Sequence, residues 1–159
     1  TKNSFIKILD YYSSLNKFSA TSLIIFDTYG PGDWRKKLFP NIAKAIQNNS
    51  PLPTPENEIL LYPVFYADVI DCYLLAAKKL TNKPEDIAGK TFAVRGKNPY
   101  KIDEIIAVFE KVSGKKVLVK HGKWQKPSRE IKNIWRGKTL PDWRPKHSLL
   151  EGIQSMLKE

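Results

Sequence analysis

The apolar positions change their spacing several times along the chain, and each change predicts an element. From Thr1 to about Lys17, Phe5, Leu9 and Tyr12 recur at intervals of three and four, with Ile6 and Ile8 beside them. That period predicts a helix already under way at the first residue. Leu23-Ile24-Ile25-Phe26 is a continuous apolar run. Short and partly β-branched, it predicts a strand buried on both faces, as in a parallel sheet. Tyr29-Gly30-Pro31-Gly32-Asp33 then breaks the chain. Leu38, Ile42 and Ile46 mark one face of a helix from Lys36 to about Asn48. Prolines at 51, 53 and 55 exclude helix from 48 to 57 and predict an extended surface loop.

The second half continues the alternation. Leu60 to Tyr66 reads as extended and apolar. Asp68 to Leu80 reads as a helix with Val69, Tyr73, Ala76 and Leu80 on one face, and Asp68 is placed to cap its start. Lys90 to Val94 suits a short strand. Ile102, Ile105, Ile106, Phe109 and Val112 form the clearest amphipathic stripe, a helix from Lys101 to Val112 that Gly114 should end. A strand at 116–120 and helices at about 128–135 and 147–157 complete the pattern. Strands alternating with helices predict an α/β chain with some parallel pairing. Only 23–26 looks buried on both faces, so the chain reads as the back half of a larger α/β fold.

Composition narrows the class. The 159 residues are 42% hydrophobic and 27% charged, close to a globular average, which excludes a disordered or collagen-like chain. No apolar run approaches the ~20 residues of a membrane span. One cysteine, Cys72, excludes an internal disulfide and a cysteine-based zinc site. It is expected to be a small buried residue, and a cytoplasmic location follows. His121 and His147 stand in polar stretches without a ligand pattern, so no metal is expected. The net charge of +11 lies mostly at the end: residues 107–159 hold 13 basic and 5 acidic groups, against 7 and 8 in 54–106. Such a surface attracts phosphate of any kind, or is simply solvated. The absence of RNP, helix-turn-helix and finger patterns argues against a nucleic-acid partner.

The chain contains no G-x-G-x-x-G and no G-x-x-x-x-G-K-[ST], hence no phosphate-cradling turn of those kinds. Gly30-Pro31-Gly32 is either a simple turn or the lip of a crevice at the carboxyl end of a strand, where open α/β sheets bind ligands. Arg35, Lys36 and Lys37 follow at the head of a helix, and Lys126-Pro127-Ser128-Arg129 opens another. Helix N-termini favour anions, so clustered cations there suit an anion held between them. Two such clusters fit a diphosphate better than a long nucleic-acid backbone. Trp34 and Trp124 adjoin the clusters and could stack on a base or sugar, or cover core.

Phe26-Asp27-Thr28-Tyr29-Gly30-Pro31-Gly32-Asp33, followed by Lys37-Leu38-Phe39-Pro40, resembles the extended short-chain dehydrogenase/reductases, the NAD-dependent epimerase/dehydratase enzymes of nucleotide sugars. Val64-Phe65-Tyr66-Ala67-Asp68-Val69 is similar to that family's strand-into-helix segment, and Leu140 through Gly152 to its C-terminal stretch. The series runs in order over the whole chain, and its details look most like the CDP-deoxyhexose reductases.

The resemblance implies the C-terminal part of a Rossmann-like NAD(P)-binding fold plus a small mixed α/β substrate-binding domain. Residues 1–35 would be the tail of the Rossmann domain and 36–159 mainly the nucleotide-sugar domain, with some segments packing back. The family's catalytic pair is Tyr-x-x-x-Lys. Thr1-Lys2-Asn3 matches its end, so Lys2 is implied as the catalytic lysine and a cofactor contact, while no Tyr of this chain precedes a Lys by four. Phe26 would line the nicotinamide end of NAD or NADP. Asp27, which stands where many members have Asn, would contact the nucleotide sugar with Lys37, Leu38 and Arg129. Leu61 stands where many members have an Arg, which puts a common diphosphate contact in doubt. The expected activity is hydride transfer on a nucleoside-diphosphate hexose, by reduction, epimerisation or dehydration. The chain alone should be inactive, lacking the cofactor turn and Tyr, and its expected partner is a missing N-terminal half. A homodimer through the 1–17 helix is also implied. The alternatives are a truncated product with no function of its own and, less favoured by the residues, a basic nucleic-acid-binding module.

Overall fold

The computed structural model describes residues 2–15, 17–55, 59–122 and 137–158. The elements follow the order α1 (Lys2–Ser14), β1 (Ser22–Ile25), β2 (Thr28–Tyr29), α2 (Leu38–Asn48), β3 (Leu52–Thr54), β4 (Leu60–Leu61) and β5 (Val64–Phe65). Then come α3 (Tyr66–Asn82), α4 (Pro84–Ile87), β6 (Thr91–Val94), β7 (Tyr100–Lys101), α5 (Ile102–Ser113), β8 (Val119–His121) and α6 (Leu149–Leu157). The chain is α/β, with mostly parallel pairing. β1 pairs β6 in parallel, from Ser22 opposite Thr91 to Ile25 opposite Val94. β2 and β5 are parallel, as are β3 and β8, and β4 pairs β7 antiparallel.

Two apolar clusters hold these elements. In the first, Ile42 and Ile46 of α2 meet Ile105 and Phe109 of α5 and Ile153 of α6. Tyr29 stacks on Phe39 at 4.2 Å between ring centroids and meets Phe65 edge-on at 5.7 Å. In the second, Val69, Cys72 and Ala76 of α3 pack with Phe92, Val94 and Trp143. The predicted stripe of α5 is the face that is buried. Gly114 ends that helix at φ +68°, in the left-handed region where glycine is least strained.

Four expectations are corrected. Ile24 and Ile25 of β1 are 39% and 40% exposed, so the strand is not buried on both faces. Among the described residues it pairs with β6 alone, and no described residue of α1 is buried. The proline segment is not a surface loop throughout, because Leu52 and Thr54 are buried and β3 pairs with β8. Pro53, lacking an N–H, is the outward residue between them, an arrangement a sheet edge tolerates. Extended chain from 60 stops at Phe65, and α3 starts at Tyr66, so Asp68 lies within its first turn and is not its N-cap. α2 starts at Leu38, which leaves Arg35 and Lys36 outside the helix. The expected helix at about 128–135 lies outside the described residues. Among the described residues no helix is long and apolar enough to cross a membrane.

Candidate active site

Parallel pairing aligns the carboxyl ends of β1 and β6, and the chain leaves both at one place. The Phe26 N–H donates to the Val94 carbonyl at 3.0 Å, extending the ladder by one residue. Asp27 follows, and its carbonyl accepts from the Val64 N–H at 3.0 Å, which ties this turn to β5. The Asp27 side chain is exposed along one side, yet neighbouring atoms strip enough water from it to raise its carboxyl above the usual range. A hydrogen bond from the Tyr62 backbone and the positive charge of Lys37 oppose that shift. The charge of Lys37, ten residues further on, is thus felt at Asp27.

Tyr62 is the member of this group that the sequence did not point to. Its buried ring lies edge-on to Phe26 at 6.0 Å, and the Arg95 guanidinium stands over it at 5.0 Å from the centroid. It thus links the end of β1 to the end of β6. Nothing in the spacing around Tyr62 marks it, because its role comes from β4 and β5 returning to that corner.

The cation cluster is smaller than its sequence suggests. The Arg35 Nε donates to Asp33 Oδ1 at 2.7 Å, and its Nη2 donates to Asp33 Oδ2 at 2.8 Å and to the Thr28 carbonyl at 3.3 Å. That pairing holds the Asp33 carboxyl below its ordinary range and satisfies the guanidinium. All three are exposed, but Arg35 alone is held in this pairing; Lys37 is the N-cap residue of α2 without a side-chain cap. Leu38 is half-buried and packs against the first cluster. Trp34 is 84% exposed, which removes its role as core. Trp124 and Arg129 lie outside the described residues.

Lys2 is exposed on the first turn of α1, and no hydrogen bond or ion pair joins it to Phe26, Asp27 or Lys37 among the described residues. The structure therefore brings Phe26 and Asp27 to one corner with Tyr62, where the charge of Lys37 also acts. Leu61, in place of the arginine, is half-buried against the first cluster and opposite Tyr100. Cys72 is fully buried, and burial pushes its thiol up to about 11, which leaves it protonated and inert at neutral pH.

In open α/β sheets, a polar corner at the carboxyl ends of parallel strands is where ligands bind. Residues 1–91 match the family described as the NAD dependent epimerase/dehydratase family, and the chain belongs to it. It is 23% identical over 142 residues to CDP-abequose synthase of Yersinia pseudotuberculosis, covering 86% of this chain and 49% of that relative. The chain thus spans about half the length of that curated relative. The UDP-glucose-4-epimerase of Stenotrophomonas maltophila, with bound NAD and formylated UDP-arabinopyranose, matches with a TM-score of 0.79 at 15% identity, over 99% of this chain and 52% of that one. The UDP-glucuronic acid 4-epimerase of Bacillus cereus, in complex with UDP-glucuronic acid and NAD, matches with a TM-score of 0.69 at 22% identity, over 86% and 43%. RMD of Pseudomonas aeruginosa, complexed with NADPH, matches at 0.70 and 15%, over 96% and 51%. These structures establish the Rossmann-like fold.

Proposed function

We propose that this chain is the substrate-holding portion of an NAD(P)-dependent enzyme that transfers hydride on a nucleoside-diphosphate sugar. The observation that carries the reading is the corner at the ends of β1 and β6, where Phe26 meets the Tyr62 ring edge-on and Asp27 feels both the Tyr62 backbone and the charge of Lys37. Asp27 accepts from sugar hydroxyls, and Lys37 with Leu38 holds the nucleotide. Arg129 adds a cation for the diphosphate. A CDP-linked sugar is the first substrate to test, because the curated relative is a CDP-abequose synthase.

Bound NAD(P) would supply the hydride acceptor or donor. The residues present fit one wall of such a site: Phe26 offers an aromatic edge beside the corner, and Lys2 an exposed ammonium. Lys2 would lower the pKa of a tyrosine supplied from outside this chain and hydrogen-bond the cofactor ribose. The division at 35/36 belongs to the same reading. β6 comes from far along the chain to pair with β1, as a segment packing back on the Rossmann part would.

The exposed apolar faces of α1 and β1 support a preceding half that covers them, with Phe5, Tyr12, Ile24 and Ile25 in its path. A dimer through α1 would use part of the same surface. The test joins the chain to its upstream reading frame and measures NAD(P)-dependent conversion of CDP- and UDP-sugars. Conversion lost in Lys2→Ala and weakened in Lys37→Ala supports the reading. Turnover by residues 1–159 alone, or full activity in Lys2→Ala, refutes it.

A further inference from the structure

Helix α3 is apolar over more of its surface than the fold covers. At about 100° per residue, the arc that runs from Cys72 through Val69, Tyr73 and Ile70 to Leu74 spans about 200°. Asp68, Asp71, Lys78 and Lys79 all fall outside it. Half of the arc is used, because Val69, Cys72 and Ala76 pack in the second cluster. The other half is not: Ile70 and Leu74 are 51% and 65% exposed, and Tyr66 and Tyr73 are exposed beside them. One packed face needs a stripe of roughly 100°, so an arc twice as wide calls for two partners.

The neighbours of α3 fix which way the unused stripe is turned. Segment 139–147 lies along the outer side of β6, where Thr139 bridges Ala93. From there it engages the charged side of α3, through Asp142 with Lys79, Trp143 with the Asp68 carbonyl and Lys146 with Asp71. The stripe is turned the other way, towards β1. That side of the sheet is open, since among the described residues β1 pairs with β6 alone. The Ser22 and Phe26 N–H groups donate to the Lys90 and Val94 carbonyls. By the alternation of a strand, the N–H groups of Leu23 and Ile25 point to the unpaired edge. Leu23 packs with the second cluster, and Ile25, on the same face, is left 40% exposed.

The element leading into β1 shows what the open edge lacks. Parallel neighbours need a crossover of a dozen or more residues, usually a helix. α1, of 13 residues, stands directly before β1, and no described residue of it is buried. It has the length and place of a crossover whose first strand lies elsewhere. The chain covers 49% of the length of its curated relative, which leaves ample sequence for such a strand. A second copy suits the surface less well, because a twofold axis would pair β1 with itself antiparallel, against the order of this sheet.

We propose that the open edge of β1 and the unused stripe of α3 form one docking surface, and that its occupant is a segment of the same polypeptide preceding Thr1. That segment adds a parallel strand to β1 and buries Ile70, Tyr73 and Leu74. The inference rests on the preceding half proposed above and specifies how it is seated.

Residues 1–159 and the protein joined to its upstream reading frame are compared by hydrogen exchange, amide by amide, in ¹H–¹⁵N spectra. The Leu23 and Ile25 amides should exchange on the order of a hundredfold more slowly in the joined protein. Leu74→Asp should be silent in the melting of residues 1–159 and lower that of the joined protein by several degrees. Should that variant not fold, Leu74→Ala reads the same difference. Open exchange at Leu23 and Ile25 in the joined protein overturns the proposal, as does a Leu74 change equally silent in both. Protection that grows with the concentration of residues 1–159 alone makes a second copy the occupant and overturns it too. So does a gene in which no segment precedes Thr1. Protected amides in a joined protein that converts no sugar leave the docking standing and overturn the enzymatic reading. Turnover with open amides does the reverse.

Discussion

Asp68 and His147 stand 79 residues apart in sequence, and their side chains meet at 2.9 Å between Oδ1 and Nδ1. Asp68 is 1% exposed, and its carboxylate also accepts the backbone N–H groups of Lys146 and His147. The Trp143 indole donates to the Asp68 carbonyl at 3.1 Å. One residue of α3 thus fastens the whole segment leading into α6. Asp68→Ala leaves two amides and an imidazole without their acceptor and should cost about 3 kcal/mol. His147→Ala removes one partly exposed hydrogen bond and the ring contact with Phe65, and should cost about 1 kcal/mol. Urea unfolding of both variants checks the order. Equal losses would mean that the side-chain pair, and not the backbone amides, holds the loop.

Gly96 is a steric requirement of a different kind. A Cβ there would run into the backbone carbonyl of Pro63, a proline set between β4 and β5. Neither segment can shift without disturbing a strand pair. Gly96→Ala should therefore destabilise by about 2–3 kcal/mol, as overpacking does. Gly32→Ala meets no neighbour and carries only the strain of φ +68°, so it should cost about 1 kcal/mol. Thermal melts of the two variants side by side provide the comparison.

Cys72 gives a probe of opening. Its thiol is fully buried and raised to about 11, so both access and thiolate are denied at neutral pH. Reaction with a thiol reagent should be absent in the folded protein and appear with the unfolding transition in urea. Rapid labelling without denaturant would show that α3 moves away from β6.

How far the sequence discloses this molecule depends on the range of the interactions. The α5 helix is legible because Ile102, Ile105, Ile106 and Phe109 carry its period within the segment itself. β3 is not, because its alternation lasts three residues, holds a proline, and finds its partner at Val119–His121. The Asp68–His147 fastening is hidden for the same reason, since each residue alone looks like a helix-start acid and an exposed histidine. At the candidate site, the resemblance to the family pointed to Phe26, Asp27 and Lys37, while Tyr62 enters only through tertiary return. Arg35 looked like a third anion-binding cation until its neighbour two residues before, Asp33, proved to hold it.

The raised pKa of Asp27 ties stability to pH. Loss of water raises its carboxyl above the value it has when unfolded, against the pull of Tyr62 and Lys37. The sign is the reverse of a paired carboxylate. The folded state binds this proton more tightly, so the charged form opposes folding above the raised pKa, and that penalty disappears as pH falls through it. Asp27→Asn removes the charge and keeps the shape. It should therefore melt higher than the parent at neutral pH, by about 2 °C for a domain of this size. The two melting curves should converge as the pH falls into the acid range and Asp27 becomes neutral in both the folded and the unfolded state. In the joined protein the same change should weaken or redirect sugar binding if Asp27 accepts from a hydroxyl, the usual exchange of stability for activity at such a site. Calorimetric scans from pH 7 to pH 4 test the first part. A parent that melts above Asp27→Asn at pH 7 would show that the Lys37 charge outweighs desolvation at this corner.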